Sequence, residues 1–262
     1  MSVIQKKVAI IIPHFQTLEL IRICLRSIRK FTNYPYEVIV VDNHSRDNSV
    51  SYLMSLKWIK LIARGKETEG SGSLAHQAAL DIGISQTNAH YVLSLHSDTI
   101  AKHPQWLNRI VDFIEEDEKI GAVGTWKLEM KSPIEILLQR LTDVKRVRNW
   151  LIGHPLEERK FIRTHCALYR LDILSRLNLH FLNNDTAGKN IHNALINNGY
   201  MARFIPVEEM MCLVDHLNHG TFVLQKPITI KDWKHYRMHR KIKNYLDLPC
   251  IKDILWDGSL DQ

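Results

Sequence analysis

The chain is predicted to fold as an α/β domain on a mostly parallel sheet flanked by helices, and three features carry that expectation. Val8–Ile12 and Val38–Val41 are short apolar runs that end abruptly, in Pro13-His14-Phe15 and in Asp42-Asn43. An amphipathic segment lies between them, with Leu18, Ile21, Leu25 and Ile28 on one face and Arg22, Arg26 and Arg29 largely off it. A third run, Tyr91–Leu95, repeats the pattern and ends in His96-Ser97-Asp98. Apolar runs without polar alternation suit strands covered by helices on both faces. Ligands of such sheets bind at the carboxyl ends of the strands, where His14, Asp42, Asn43 and Asp47 fall.

The remaining elements follow in chain order. Ile59–Ala63 reads as a strand, and Gly70-Ser71-Gly72-Ser73 as a turn into a helix from Leu74 to Ile84. A helix opens at Pro104, a residue suited to a first helical turn, and Gly121–Trp126 closes the regular alternation. Arg140–Arg148 reads as a basic helix and Phe161–Tyr169 as a strand. Asn183-Asn184-Asp185-Thr186 precedes a helix that stops at Asn198-Gly199, and Met201–Ile205 is a short strand. From Lys226 to Lys243 runs a basic stretch containing Trp233, His235 and Tyr236. The expected division is a catalytic domain over 1–222 and a basic, aromatic-containing helical extension over 223–262.

The chain has 262 residues and a formal net charge of +7, which favours an anionic partner. Cys24, Cys166, Cys212 and Cys250 lie far apart without a CxxC pair, so reduced core thiols in a cytoplasmic protein are expected. No apolar run reaches membrane-spanning length, so any membrane contact is expected to be peripheral, on the inner face.

His96-x-Asp98 has the spacing at which two side chains share a strand face, and an imidazole with a carboxylate there can hold a divalent cation. The alternative is that Asp98 caps a turn and His96 is merely polar. His216-x-x-His219 is expected to place two more rings on one side of a helical turn. His165 and Cys166 alternate in a strand, where a buried, hydrogen-bonded histidine is the expectation.

The order "VAIIIPHFQTLELIRICLRSI…YEVIVVDNHSRDNS…AHYVLSLHSDTIAKHPQWLNRIVDFIEEDEKIGAVGTW" resembles the family 2 glycosyltransferases of GT-A (Rossmann-like) fold, over roughly residues 7 to 220. The resemblance implies transfer of a sugar from a nucleotide-diphosphate donor to an acceptor hydroxyl, with Mn²⁺ or Mg²⁺ and with inversion. It implies that Pro13, His14 and Phe15 lie along the base and ribose, with Asp42 and Asn43 at the nucleobase. His96, Ser97 and Asp98 stand at the D-x-D motif, and His76 falls close to the donor pocket. Asp98, His96 and His216 or His219 are the implied metal ligands, and the strand ending at Trp126 borders the acceptor.

Two departures stand out. His96 replaces the first Asp of D-x-D, which is expected to weaken Mg²⁺ relative to Mn²⁺. The family's acidic pair falls on Ala187-Gly188, so its usual general base is absent. Asp185 is the nearest carboxylate and the candidate base; its other reading is as a helix cap. Glu208 and Glu209 are weaker candidates.

The expected acceptor is a saccharide or a lipid-linked one. The basic tail suits an anionic membrane surface, and packing on a second subunit as a homodimer is its other use. Nucleic acid is disfavoured, because the charge is not matched by a reading module. A nucleotidyltransferase is disfavoured by the lack of a glycine-rich phosphate loop after the first strand. The rival reading is a catalytically silent nucleotide-sugar-binding protein of the same fold.

Overall fold

A computed structural model describes residues 6–65, 72–128, 160–183, 185–218, 220–226 and 232–262. The first half alternates as expected: β1 (Val8–His14), α1 (Leu18–Phe31), β2 (Tyr36–Asp42), α2 (Ser49–Ser55), β3 (Ile59–Ala63), α3 (Gly72–Ile84) and β4 (Tyr91–Leu95). Then come β5 (Thr99–Ala101), α4 (Trp106–Glu115), β6 (Ile120–Gly124), β7 (Cys166–Arg170), α5 (Leu171–Arg176) and α6 (Lys189–Asn197). The chain continues through β8 (Met201–Phe204), α7 (Val207–Leu213), β9 (Val214–His216), α8 (Gly220–Gln225), α9 (Trp233–Leu246) and α10 (Pro249–Trp256).

Seven strands form one sheet in the order β3-β2-β1-β4-β7-β6-β8, and β7 runs against both of its neighbours. β1 is buried along its whole length. Its Val8, Ile10 and Ile12 enter one core cluster, while Ala9 and Ile11 enter the cluster on the opposite face. That two-sided burial is why the run carries no polar alternation. β5 and β9 form a separate antiparallel ribbon that brings His216 opposite Thr99, one residue past Asp98.

A third cluster joins Leu20 and Ile23 of α1 to Ile242, Tyr245 and Leu246 of α9 and to Ile251 and Ile254 of α10. The last residues are latched to α1 and α2: Arg26 Nε of α1 donates to Asp261 at 2.8 Å, and Tyr52 Oη of α2 donates to the same carboxylate at 2.8 Å. The C-terminal helices therefore share a core with α1, and position 222 falls inside α8.

Several local expectations are corrected. The strand expected over Phe161–Tyr169 is Cys166–Arg170: 160–163 is irregular, 164–165 form a turn, and pairing with β4 begins only at Cys166. The helix expected at Pro104 begins at Trp106, and Gly72 and Ser73 are already helical. His216 lies on a strand, not on a helical turn. Cys24 and Cys166 are buried thiols, whereas Cys212 and Cys250 are exposed, so the latter two are not core residues. The expected basic helix Arg140–Arg148 and residue His219 lie outside the described residues.

Candidate active site

The carboxyl ends of β1 and β2 are tied together by short polar links. Asp42 accepts from the backbone N–H of Ser45 at 3.0 Å and from the Ser45 hydroxyl, and Ser45 Oγ accepts from Gln16 N at 2.7 Å. Asp47 accepts from Leu18 N at 3.3 Å, so a carboxylate from the β2–α2 loop caps α1. Gln16, Thr17 and His44 have φ of 53°, 64° and 63°, left-handed backbone in non-glycine residues. Such strain persists where surrounding bonds over-determine the conformation, as these links do.

His14 is fully buried under this junction. Its Nε2 lies 2.9 Å from Ser49 Oγ and 4.0 Å from Asp42 Oδ1. Ser49 gives its own hydroxyl proton to Asp47, so the His14 ring donates to it. Burial pushes this imidazole down to about 4, against the opposing pull of Asp42 and Asp47. The ring thus stands behind Asp42 as a neutral support, while Phe15 is exposed and Asn43 is buried. Arg64, which the sequence reading did not single out, donates to the Asn43 side-chain oxygen and, at 3.0 Å, to Ala75 O.

One strand further along the sheet, four imidazoles gather around Asp98. The sequence placed His96 and Asp98 on one strand face, but β4 ends at Leu95 and both residues sit in the turn that follows. They converge nevertheless, with His96 Nδ1 3.9 Å from Asp98 Oδ1. His216 arrives from β9 and brings Nε2 to 3.3 Å from the same oxygen. One ligand atom from each of His96, Asp98 and His216 can be chosen so that all lie within 4.8 Å of one another. Ser97, between His96 and Asp98 in the chain, is buried.

The supporting contacts explain the convergence. His216 Nδ1 is 2.8 Å from Leu128 O, so it carries a proton and Nε2 is the atom turned toward Asp98. Asp98 Oδ2 accepts from Gly220 N at 2.8 Å. A Cβ on Gly220 would lie 3.2 Å from Asp98 Cβ, so the absent side chain permits this approach. His165 stacks on His216 with centroids 5.1 Å apart and is itself held by Thr125 Oγ1 at 2.7 Å. His76 packs edge-on against His96 at 4.8 Å and contacts Thr164 Oγ1 at 3.1 Å.

Burial lowers three of these imidazoles: His76 goes down to about 4, and His96 and His165 go well below their ordinary value. Burial alone would raise the Asp98 carboxyl, but His216, His96 and the Gly220 amide together hold it below the usual carboxylate range. The result is a buried, ionised carboxylate flanked by imidazole nitrogens. Asp98 and His216 have side chains 6% and 7% exposed, and His96 34%, so the trio opens outward past His96. A two-imidazole, one-carboxylate set fits a borderline divalent cation such as Mn²⁺ better than Mg²⁺.

The other candidates are placed differently. Asp185 is exposed, 2.8 Å from Lys189 Nζ, and accepts from Thr186 N at 2.7 Å. It is not the cap of α6, whose N-cap is Gly188 at φ 85°. Its loop is fastened to α3: Gln77 Nε2 donates to Asp185 O at 2.8 Å, and Gln77 Oε1 accepts from Asn183 N at 2.8 Å. Asp81, one turn on, accepts from Phe181 N and Leu182 N. Since His76 precedes Gln77, one helix touches both the histidine cluster and the Asp185 loop. Trp126 is half-buried, edge-on to Phe161 at 5.2 Å, with the Arg163 guanidinium 5.0 Å over its ring. Glu209 is engaged by Arg109 at 2.9 Å.

A cleft of about 350 Å³ lies beside the junction, lined by Gln16, Thr17, Asp47, Gln225, His239 and Lys243. Neither Asp98 nor its neighbouring histidines line it, so the polar geometry rather than this hollow marks the candidate site. Among the described residues, no helix is long and apolar enough to cross a membrane.

Residues 9–177 match the family described as Glycosyl transferase family 2. A curated relative, the poly(ribitol-phosphate) beta-N-acetylglucosaminyltransferase TarP of Staphylococcus aureus (strain N315), is 26% identical over 130 residues, which is 48% of this chain and 38% of that protein. The chain thus matches well under half of that relative's length. Among solved structures, the mannosyltransferase PcManGT from Pyrobaculum calidifontis, in complex with GDP-Man and Mn²⁺, superposes with a TM-score of 0.55 at 18% identity over 97% of this chain and 74% of that one. TarS 1-349 of S. aureus gives 0.54 at 16% identity over 76% of this chain and 58% of the other. Glucosyl-3-phosphoglycerate synthase of Mycobacterium tuberculosis, in complex with Mn²⁺, UDP and glucosyl-3-phosphoglycerate, gives 0.51 at 16% over 79% and 75%. At these identities the structural likenesses show the fold.

Proposed function

Because this chain belongs to glycosyl transferase family 2, we propose that it moves a sugar from a nucleotide-diphosphate donor to a hydroxyl of a saccharide or lipid-linked acceptor, with inversion at the anomeric carbon. The observation that carries this reading is the convergence of His96, Asp98 and His216 past the carboxyl end of β4, with Asp42 at the carboxyl end of β2 on the far side of β1. The nucleobase would lie against Asp42 and Asn43, with Pro13 and Phe15 along base and ribose. His14 keeps Asp42 in place from behind.

His96, Asp98 and His216 would hold a divalent cation, favouring Mn²⁺ over Mg²⁺. When bound, such an ion offsets charge developing on the leaving diphosphate. PcManGT with GDP-Man and Mn²⁺ is a neighbour of like fold that supports this assignment. The acceptor oxygen forms its bond to the anomeric carbon as the bond to the donor phosphate oxygen breaks, and the hydroxyl proton passes to Asp185. Support for Asp185 is its place on a loop bonded to α3 beside His76, and the Lys189 contact that keeps it ionised. Trp126 and Arg163 would border the acceptor.

The same Lys189 contact favours a second reading, a protein that binds the donor without turning it over, because the carboxylate is already engaged. The deciding experiment is thermal stability against UDP-, GDP- and dTDP-sugars, each with Mn²⁺ and with EDTA, followed by assay of nucleotide release. A ligand at about 100 times its Kd stabilises the folded state by about 2.7 kcal/mol. The expected result is a Mn²⁺-dependent rise with one nucleotide family and slow release of its diphosphate. A rise without release would select the silent reading, and no rise with any donor would sink both.

A further inference from the structure

Outside the candidate site, the surface that stands apart is the outer face of α9. Its 14 residues include Lys234, Arg237, Arg240, Lys241 and Lys243 and no Asp or Glu. His235, Ile242, Tyr245 and Leu246 form its buried side, the last three of them in the core shared with α1. With 3.6 residues per turn, the opposite line runs through Trp233, Arg237, Arg240 and Asn244, all exposed. The apolar side of this helix is therefore already used for packing, and what faces outward is cationic.

Aromatic groups cluster at the start of that face. Trp233 is 65% exposed and stacks on Tyr236 with centroids 5.5 Å apart. Phe222 of α8 is 63% exposed. It is tied to the same corner through Lys226, whose Nζ lies 5.9 Å from the Phe222 ring and 3.2 Å from Asp232, the cap of α9. A soluble helix has no packing reason to present an indole, a phenol and a phenyl ring together beside a basic stripe.

We infer that α9, with Phe222 of α8, is a docking face for an anionic lipid surface. Lysine and arginine near such a surface are drawn to the phosphate layer, while Trp and Tyr settle at the headgroup level. The stripe is about 21 Å long at 1.5 Å per residue, so the helix would lie along the membrane. A single-stranded nucleic acid fits less well, because Trp233 and Tyr236 cover each other's faces and offer little platform for bases. The inference is independent of the glycosyl-transfer reading: it uses none of the residues placed in the donor or acceptor site.

The test is flotation of the full chain with phosphatidylcholine vesicles, with and without phosphatidylglycerol. Binding is expected only with phosphatidylglycerol and should weaken as salt rises. Replacing Arg237, Arg240 and Lys241 by Ala should lower affinity about a hundredfold, near fivefold for each charge. Brominated lipid should quench tryptophan emission in the wild type, and Trp233→Phe should remove most of that quenching. Each variant should keep the wild-type melting temperature, since these side chains are exposed. Equal binding to neutral vesicles, no flotation at low salt, or full affinity in the triple variant would overturn the inference. Preferential binding of a single-stranded oligonucleotide in competition with the vesicles would also overturn it and reassign the face.

Discussion

The proposed donor side and the proposed acceptor side of the site hold their carboxylates in opposite ways. Asp42 and Asp98 are 4% and 5% exposed and receive hydrogen bonds from Ser45 and from Gly220. Asp185 stands in solvent, and what fixes it is its backbone, through Gln77 and Asp81 on α3. Buried polar groups need partners, so these two carboxylates are locked by their neighbours and tolerate little change. An exposed carboxylate paired with a lysine costs little to rearrange. The proposed donor half is thus preorganised, whereas the proposed acceptor half has a fixed backbone and an adjustable side chain.

The strongest way to break this contrast is at Asp98. Asp98→Asn keeps the shape and the Gly220 bond but removes the negative charge between two imidazoles. Donor turnover should fall by about a thousandfold or more, because charge stabilisation of the leaving group is usually the largest single contribution. The Mn²⁺-dependent thermal shift should vanish with it. His96→Asp is the complementary change, restoring a second oxygen donor. It should bring Mg²⁺ affinity about tenfold closer to that for Mn²⁺, read by calorimetric titration of each ion. If Asp98→Asn keeps both turnover and shift, the metal assignment is wrong.

On the acceptor side the expected effect is smaller and of a different kind. Asp185→Asn should lower kcat by about a hundredfold, the lower end of general-base contributions, and leave the donor-induced thermal shift unchanged. Lys189 is the main cause that holds Asp185 below the ordinary carboxylate range, followed by the Thr186 amide. Lys189→Met removes that influence, so the acid limb of kcat/KM should move to higher pH. An acid limb that stays in place, or a kcat indifferent to Asp185→Asn, would exclude Asp185 as the base.

The same contrast explains what the sequence disclosed. β1, β2 and β4 were legible because strands buried on both faces must be continuously apolar, and Asp42 and Asp98 were legible because they follow such strands. The β5–β9 ribbon was not: three-residue strands are too short to show a period, and so His216 was expected on a helical turn. Leu128 and Gly220 contribute a backbone oxygen and a backbone amide, which leave no mark on residue type. Gln77 and Asp81 act on a loop about a hundred residues away, so their roles appear only once α3 is packed against it. The antiparallel β7 was hidden because a reversed strand in the middle of a sheet is as apolar as a parallel one.

The smallest effect sharpens the proposed donor side without touching the proposed metal ligands. His14 is buried neutral, pushed by burial down to about 4, while the unfolded chain has the ordinary value of about 6.5. Between those values the unfolded state binds the proton that the folded state refuses. Stability contributed by this group is therefore complete above about pH 6.5 and is lost as pH falls toward 4, at up to about 1.4 kcal/mol per pH unit. His76, His96 and His165 are depressed in the same direction and add to the wild-type slope. His14→Gln removes one titrating group from that sum, so urea unfolding should show a shallower loss of stability across that window. The comparison of slopes, not of absolute stability, isolates His14, since Gln also alters packing against Ser49. An unchanged slope would mean that His14 is already protonated in the folded protein, and that the junction beneath Asp42 is held by charge rather than by a neutral ring.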